Sequence, residues 1–345
     1  SMEWHGPGCA VWEITLQCNL HCMHCGSAAG TARRDELSTE EALQLCKDLK
    51  SIDCLGVALM GGEPFLRPDW HLIAEQAHQV GMDVSIITNG FSVTKQIIKQ
   101  LKEIQPELMA VSLDGGTAAT HDRIRGMKGS FNRAMASIDQ FLDLGLPTGV
   151  ITTVHKLNLS ELSAIRERLV GKGVAWQIQM ATPFGRLTRE YVLSEEEFYA
   201  LGLFIAASRK QYATKDLKVA GAHDMGYFSR YLAEVQVQPW RGCQAGISTL
   251  GIQSNGNIIG CLALSDPFVE GNIRERSIQE IWRDDHSFSY SRHVRDSDLG
   301  GECRHCTFQR RCKGGCSAVS YTMTGRLHRD PYCLRAIENK RQQRP

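Results

Sequence analysis

The chain has 345 residues, of which 42% are hydrophobic and 22% are charged. Basic and acidic residues nearly cancel to a formal net charge of +1, so no global field would attract nucleic acid or an anionic membrane. No apolar run is long enough to cross a bilayer, and the first residues lack the basic and apolar regions of a secretory signal. We therefore expect a cytoplasmic protein with no nucleic-acid and no membrane partner.

The cysteines are numerous and unevenly distributed. There are 13 of them, and in a reducing compartment cysteines bind metals more often than they form disulfides. One group lies near the start of the chain and a second near its end, and none lies between Cys54 and Cys243. The sequence therefore predicts two metal-binding regions on either side of a cysteine-free middle.

The first group follows a short apolar run and has the spacing C-x3-C-x2-C, at Cys18, Cys22 and Cys25. Three thiolates on one tight loop can hold three irons of a 4Fe–4S cubane, and the fourth iron then stays open to bind another molecule. This spacing favours a catalytic cluster over a plain electron carrier. A zinc knuckle is the alternative, because His21 and His24 could complete a zinc site.

Helices and strands alternate from this loop to about residue 181. Beyond the first apolar run, the predicted strands are 57–60, 83–88, 108–113, 148–154 and 175–181, and the predicted helices are 38–52, 68–80, 93–104, 131–144 and 159–170. Such alternation predicts an α/β fold with a parallel sheet and right-handed crossovers. Six βα units are too few for a closed eight-stranded barrel but enough for a curved, partly open one.

Glycines and polar residues collect where these strands end. They include the run Gly61-Gly62-Glu63-Pro64, Asn89, and the pair Ser112 and Asp114. Ligands of parallel α/β folds bind at the carboxyl ends of the strands. Any one of these motifs alone would more often be a simple turn, and it is their recurrence at successive strands that indicates a site.

Residues 191–240 are predicted to form a helical linking region. A helix is expected at 194–212, and the segment 215–240 has no clear pattern. Its aromatic residues, among them Tyr227 and Trp240, could line a substrate entrance or pack between domains.

The last part of the chain combines a β-hairpin with the second cysteine group. Two apolar runs at 249–253 and 258–261 flank an Asn-Gly turn. The seven cysteines are Cys243, Cys261, Cys303, Cys306, Cys312, Cys316 and Cys333. By themselves, Cys303 to Cys316 fit a zinc ribbon as well as an iron–sulfur site.

The amino-terminal loop resembles the signature of radical S-adenosylmethionine (radical SAM) enzymes, in which a flat residue, here His24, precedes the last cysteine. The resemblance implies a partial (β/α)6 TIM-like barrel. It also implies that Cys18, Cys22 and Cys25 hold a 4Fe–4S cluster whose open iron binds SAM. One electron from the cluster then cleaves SAM to methionine and a 5′-deoxyadenosyl radical, which removes a hydrogen from the substrate.

The same resemblance implies the residues that bind SAM. Gly61, Gly62, Glu63 and Pro64 match the family's GGE motif, whose glutamate and carbonyl groups bind the SAM amino group. Asn89 lies at the next strand end, and Ser112 and Asp114 are expected at the ribose. Arg125 is at the family position of an arginine that pairs with the SAM carboxylate, with Arg123 as its rival.

The second cysteine group resembles the seven-cysteine SPASM pattern, a Cys-rich extension of radical SAM enzymes that carries two auxiliary 4Fe–4S clusters. The resemblance assigns Cys303, Cys306, Cys312 and Cys333 to an outer cluster and Cys243, Cys261 and Cys316 to an inner one. Two closed cubanes need eight ligands, and the position at which some relatives supply another cysteine is Thr249. We therefore expect three clusters in all and an inner cluster with an open or non-cysteine position.

The resemblance also implies a domain organisation and a reaction class. The expected domains are a barrel at residues 1–190, the helical linking region at 191–240 and the SPASM domain at 241–345. The main hypothesis is a maturase that makes an oxidative cross-link in a ribosomally made precursor peptide, with a flavodoxin- or ferredoxin-type electron donor. Because the chain starts almost at the first strand, we expect leader recognition to need a separate leader-binding protein or another surface.

Two other hypotheses stay open at this stage. The first is a radical SAM dehydrogenase or epimerase acting on a sugar or aminocyclitol. The second, from a different class, is a zinc-binding structural or regulatory protein. Sulfatase maturation is disfavoured, because that branch has an Asp after the cysteine that closes the hairpin and this chain has Leu262.

Overall fold

The structure is a computed structural model that describes residues 5–232, 235, 239–264 and 266–342. Its strands are β1 Cys9–Thr15, β2 Gly56–Gly61, β3 Asp83–Thr88, β4 Leu108–Ser112, β5 Thr148–Val154, β6 Ala175–Met180, β7 Lys218–Gly221, β8 Thr249–Ile252, β9 Asn257–Ile259 and β10 Val269–Asn272. Its helices are α1 Thr39–Ser51, α2 Trp70–Gln79, α3 Lys95–Ile104, α4 Ala118–Arg125, α5 Ser130–Asp143, α6 Leu162–Leu169, α7 Glu195–Gln211, α8 Ile278–Arg283, α9 Ser289–Arg292, α10 Gln309–Cys312, α11 Ser317–Thr324 and α12 Leu334–Gln342.

All of these strands belong to one sheet, in the order β10-β9-β8-β1-β2-β3-β4-β5-β6-β7. From β1 to β7 each strand is parallel to the next, as expected when helices connect them. Among the described residues the strand order is open, with β10 at one end and β7 at the other. The predicted α/β fold with a partial barrel is confirmed.

The predicted hairpin is formed by β8 and β9, and it joins the barrel sheet. Strand β8 runs parallel to β1, with Cys9 opposite Thr249 and Trp12 opposite Ile252. Strands β9 and β10 continue the sheet in antiparallel fashion. As a result β1 is an internal strand with a partner on each side, and the two cysteine-rich parts of the chain share one sheet.

The hydrophobic core is formed by the apolar strands and by one face of each of the helices that pack on them. Trp12 on β1 and Trp176 on β6 are both fully buried. Strand β1 buries most of its length, which suits a strand covered on both faces. The chain then leaves the sheet at Thr15, so the first cysteine loop begins where the most enclosed strand ends.

Several elements were not predicted from the sequence. Helix α4 has a polar sequence, and residues at its two ends fix its limits. Thr117 caps its first turn, and Gly126 ends it in the left-handed conformation. Strand β7 lies within the predicted linking region and is only four residues long. Part of that region, residues 233, 234 and 236–238, lies outside the described residues. The domain limits at residues 190 and 240 stay predictions.

A buried arginine ties the end of β1 to the segment before α1. The guanidinium of Arg67 donates to the carbonyl of Ile14 at 2.7 Å and to that of Leu37 at 2.9 Å. Its Nε also pairs with Asp69 at 2.8 Å. Each donor that would be costly to bury alone therefore has a partner.

We predict that Arg67→Ala lowers the free energy of unfolding by about 3 kcal/mol, because Asp69 and the two carbonyls lose a buried charged partner. The midpoint of anaerobic urea unfolding measures the loss. The control is Arg276→Ala, which removes a more exposed pair with Asp284 and should cost less than about 1 kcal/mol. Equal losses in the two variants would contradict the prediction.

Candidate active site

The first cysteine loop forms one wall of a cavity of about 120 Å³. The loop is held from two sides: the amide of Cys18 donates to the carbonyl of Gly30 at 2.9 Å, and the carboxylate of Glu36 accepts from the amide of Leu16 at 2.7 Å. The described residues that line this cavity are Cys18, Cys22, Cys25, Ala29, Met60, Gly61, Gly62, Ile87, Thr88, Asn89, Ser112, Arg125 and Arg186. Five of the predicted SAM-binding residues therefore meet the predicted cysteines at this cavity: Gly61, Gly62, Asn89, Ser112 and Arg125. His24, Glu63, Pro64 and Asp114 are not on its wall.

Gly61 and Gly62 bring β2 into close contact with the start of the cysteine loop. A Cβ on Gly61 would lie 2.1 Å from the carbonyl oxygen of Thr15, and one on Gly62 would lie 2.1 Å from that of Gln17. Gly61 also has a φ of +146°, which L side chains rarely adopt. Glycine is therefore required at both positions, because a side chain would collide with backbone oxygens at the end of β1 and just after it.

Glu63 is buried beside this contact. Its carboxylate accepts from Thr88 Oγ1 at 2.7 Å and from the amide of Asn89 at 2.8 Å. Burial raises the pKa of Glu63 to about 7, with these hydrogen bonds acting in the opposite direction. Pro64, the last residue of the motif, is also buried and begins a single 3-10 turn.

Asn89 links the end of β3 to the cysteine loop. Its side-chain amide donates to Asn19 Oδ1 at 2.8 Å and lies 3.9 Å from the sulfur of Cys18. Its oxygen accepts from the amide of Phe91 at 2.8 Å. The amide is thus oriented by local bonds on one side and by the loop on the other.

Arg125 and Asp114 form a buried ion pair behind the cavity. Arg125 Nη2 lies 2.6 Å from Asp114 Oδ2, and Arg125 Nη1 donates to the sulfur of Cys22 at 3.6 Å. Burial raises the pKa of Asp114, but Arg125 and then His24 outweigh this and hold it below its usual value. Arg123 is exposed, so of the two candidate arginines only Arg125 reaches the cavity.

Asp114 lies behind the cavity wall, and its expected contact with the ribose stays a prediction. Asp114 is fully buried, with Oδ2 facing both Arg125 and His24 and Oδ1 accepting from the amide of Thr153 at 2.8 Å. Its carboxylate is enclosed by these partners and is not part of the cavity wall. Asp114 therefore positions Arg125 and His24, and Ser112 is the residue of that pair on the wall.

His24 faces a second, larger cavity. Its Nε2 lies 3.3 Å from Asp114 Oδ2, and its ring centroid lies 5.6 Å from that of His155. Burial lowers the pKa of His24 to about 3, so the imidazole is neutral. The ring separates the Asp114 pair from the larger cavity.

Arg186, which was not among the predicted site residues, also contacts the cysteine loop. Its Nε donates to the carbonyl of Cys22 and its Nη1 to that of Ala29, both at 2.8 Å. The preceding Gly185 has a φ of +64°, and a Cβ there would lie 2.2 Å from the carbonyl oxygen of Cys25. The sequence does show a Gly-Arg pair after a strand, which could have marked a site. Its contact with a loop more than 150 residues earlier could be found only from the fold.

The larger cavity has a volume of about 640 Å³. It shares Met60 and Gly61 with the cysteine-lined cavity, and Cys316 lies on its wall. Its charged lining residues in the described part of the chain are Glu13, Arg33, His223, Asp224 and Asp266. Glu13 and Arg33 are paired at 2.8 Å.

The carboxyl-terminal cysteines form two groups. Cys303, Cys306, Cys312 and Cys333 line one small cavity of about 30 Å³. In the other group, Cys243 and Cys316 are hydrogen-bonded through their side chains, and Cys261 interacts electrostatically with Cys243. The structure therefore brings together the same sets that the resemblance assigned to an outer and an inner cluster.

Among the described residues, no three His, Cys, Asp or Glu side chains converge closely enough to hold a single metal ion. The thiolates of a cubane bind different irons and are accordingly farther apart than the ligands of one ion. Three cysteines around a cavity, backed by the cationic Arg125, suit the anionic sulfur ligands of such a cluster.

Comparison with known proteins identifies the family. The radical SAM superfamily matches residues 12–169, and the SPASM iron–sulfur cluster-binding domain matches residues 243–307. An AdoMet-dependent heme synthase of Methanosarcina barkeri is 32% identical, with 96% of this chain and 97% of that protein covered. The chain belongs to the radical SAM superfamily and carries a SPASM domain.

Other relatives of the enzyme have different names. The mycofactocin maturase MftC of Mycolicibacterium smegmatis is 28% identical, with 91% of this chain and 79% of that protein covered. The solved structure of Streptococcus suis SuiB bound to S-adenosylmethionine has a TM-score of 0.75 at 18% identity, covering 96% of this chain and 76% of that one. This last similarity establishes the fold.

Membership of the family confirms the predicted radical SAM and SPASM assignments and removes the zinc-binding regulatory protein from the alternatives. It also implies iron–sulfur clusters and SAM binding. Within the described part of the chain, every helix is too short or too polar to span a membrane.

We predict that Gly62→Ala prevents the enzyme from retaining its first cluster, because the added Cβ would collide with the backbone oxygen of Gln17. Anaerobic reconstitution should yield about four fewer irons per chain. The control is Gly30→Ala in the same loop, where a Cβ has no neighbour within 4 Å. Full iron content in the Gly62 variant would refute this account of the motif.

Proposed function

We propose that the enzyme oxidatively modifies a peptide by radical SAM chemistry and forms a cross-link within it. The observation that carries the proposal is the position of the 640 Å³ cavity. One wall adjoins the cysteine-lined cavity through Met60 and Gly61, and Cys316 lies on another wall. A substrate in this cavity would lie between the site where the radical is made and an auxiliary cluster able to accept an electron.

The residues of the 120 Å³ cavity suit SAM bound to a cluster held by Cys18, Cys22 and Cys25. When bound, these groups supply a 5′-deoxyadenosyl radical that removes a hydrogen atom. Gly61 and Gly62 would leave room for backbone contact with the SAM amino group. The ionised carboxylate of Glu63, buried beside them, would supply a negative charge toward that group. Arg125 would face the SAM carboxylate, held in orientation by Asp114. Asn89 and Ser112 would contact SAM from the rest of the cavity wall. His24 would lie on the side that faces the substrate cavity.

We infer that the seven carboxyl-terminal cysteines hold two auxiliary clusters, for three in all. The outer set surrounds one cavity, and Cys316 of the inner set faces the substrate cavity. This order suits electron transfer from a substrate radical to the inner and then the outer cluster. A flavodoxin- or ferredoxin-type donor, a separate leader-binding protein and a cytoplasmic location complete the proposal.

The charge of the cavity favours a peptide over a porphyrin. Its described lining has three carboxylates, Glu13, Asp224 and Asp266, against the guanidinium of Arg33 and the imidazoles of His24 and His223. An iron porphyrin carries several carboxylates of its own, which would meet like charges here. Hydrogen-bonding residues such as Gln179 and Gln253 also line the cavity and suit peptide groups.

A porphyrin is nevertheless the second candidate, because the Methanosarcina barkeri heme synthase is more similar in sequence than the maturase. No comparable observation favours a sugar or aminocyclitol. The two candidates differ in the product that they predict, so one assay separates them.

We predict that SAM binding requires the ionised form of Glu63. Because the pKa of this carboxyl is raised to about 7, it is mostly protonated below that pH and ionised above it. The ratio of wild-type to Glu63→Gln affinity for SAM should rise roughly tenfold between about pH 6 and about pH 8. Anaerobic calorimetry measures both affinities, and a ratio independent of pH would exclude this role for Glu63.

We predict that the reduced enzyme, given SAM and a cysteine- or aromatic-rich peptide encoded beside its gene, removes two hydrogens from that peptide. Mass spectrometry detects the loss. Cys316→Ala should still cleave SAM but should form at least about tenfold less cross-linked product, because the inner electron acceptor is disturbed. Conversion of an iron coproporphyrin instead of the peptide would favour the second candidate.

A further inference from the structure

The inner cluster lacks a fourth cysteine. Cys243, Cys261 and Cys316 supply three of the four thiolates that a closed cubane needs. Thr249, at the position where some relatives have another cysteine, begins β8 and pairs with β1. A threonine hydroxyl is a poor substitute for a thiolate, so any protein ligand must come from another element.

Asp224 lies on the wall of the large cavity together with Cys316. It follows β7, the short strand at one edge of the barrel sheet. Its carboxylate interacts electrostatically with the thiol of Cys261. Asp224 therefore faces the same cavity as Cys316 and is close enough to Cys261 to affect its thiol electrostatically, although it comes from a different part of the chain.

Half of this carboxylate has no hydrogen-bond partner. Asp224 Oδ2 accepts from the amide of Met180 at 3.2 Å. Oδ1 is buried and has no partner among the residues that the structure describes. A buried carboxylate oxygen without a partner is costly, and such groups are usually paired or bound to a metal.

The loop that carries Asp224 is anchored to the inner cysteines. The backbone amide of Cys316 donates to the hydroxyl of Tyr227 at 2.8 Å, and the same hydroxyl bonds to Asp330. Gly226 has a φ of +53°, and a Cβ there would lie 2.3 Å from Leu334. The loop has little freedom to move, so the direction of Asp224 is set by the fold.

Other polar residues of the cavity are less suited to this role. Glu13 is engaged by Arg33 at 2.8 Å and by Ser254 at 3.2 Å. Asp266 is exposed. His223 is next to Asp224 and lines the same cavity but is exposed, so it is the natural rival and the natural control.

We propose that Asp224 Oδ1 is the non-cysteine ligand of the inner auxiliary cluster. The inference rests on the proposed assignment of Cys243, Cys261 and Cys316 to that cluster, and it does not depend on the identity of the substrate. A carboxylate ligand would satisfy the free oxygen and would close the inner cluster on the side of the substrate cavity.

The test uses the full chain with Cys18, Cys22 and Cys25 changed to Ala, so that only auxiliary clusters remain. The protein is labelled with ¹³C-aspartate, reconstituted with iron and sulfide, reduced, and examined by ENDOR spectroscopy. We expect a ¹³C coupling to the cluster signal that is lost in the isosteric variant Asp224→Asn. The matched control His223→Gln should keep it.

Each outcome has a defined meaning. Loss of the coupling only in Asp224→Asn supports the proposal. Absence of any ¹³C coupling in the unsubstituted background, or a ¹⁴N coupling lost in His223→Gln, overturns it. Zinc or no metal bound at these cysteines would instead overturn the cluster assignment itself, so the two failures are distinguishable. Asp224→Cys gives a second check, since a thiolate there should remove the ¹³C coupling while retaining the iron.

Discussion

The pairing of β1 with both β2 and β8 is the constraint on which the rest of the structure depends. Because β1 is internal to the sheet, the cysteine loop that follows it starts from a rigid, fully paired strand. The same strand holds the hairpin of the SPASM region against the barrel. One cavity wall can therefore come from residues near position 20 and another from residues near position 316.

Around the cysteine loop, polar groups are buried in pairs whose members come from different parts of the chain. Glu63 bonds to Thr88 and Asn89, and Arg125 bonds to Asp114 and the sulfur of Cys22. Such a network is costly unless it is satisfied, and when satisfied it holds each side chain in one orientation. That rigidity suits a site in which a reactive radical must meet a single hydrogen of the substrate.

The substrate cavity is where this enzyme can differ from its relatives. Proteins named as heme synthases and as peptide maturases resemble almost the whole chain, so the shared fold does not by itself specify a substrate. The charged residues that line the cavity in this enzyme include three carboxylates, and one of them, Asp224, also has an electrostatic effect on Cys261.

The sequence by itself determined the family, the alternation of strands and helices, the hairpin and the two groups of cysteines. Those features depend on local spacing and periodicity, which can be read without knowing the fold. It did not reveal α4, whose polar sequence has little periodicity, or β7, which is only four residues long.

Only the tertiary structure decided which side chains contact one another. It enclosed Asp114 with Arg125 and His24 instead of exposing it to the cavity, and it brought Arg186 to the carbonyl groups of the cysteine loop. It also placed Asp224 on the wall of the same cavity as Cys316, which is distant in the sequence. These contacts join residues that are far apart along the chain, and their partners are set by the packing of the sheet, which no local pattern records.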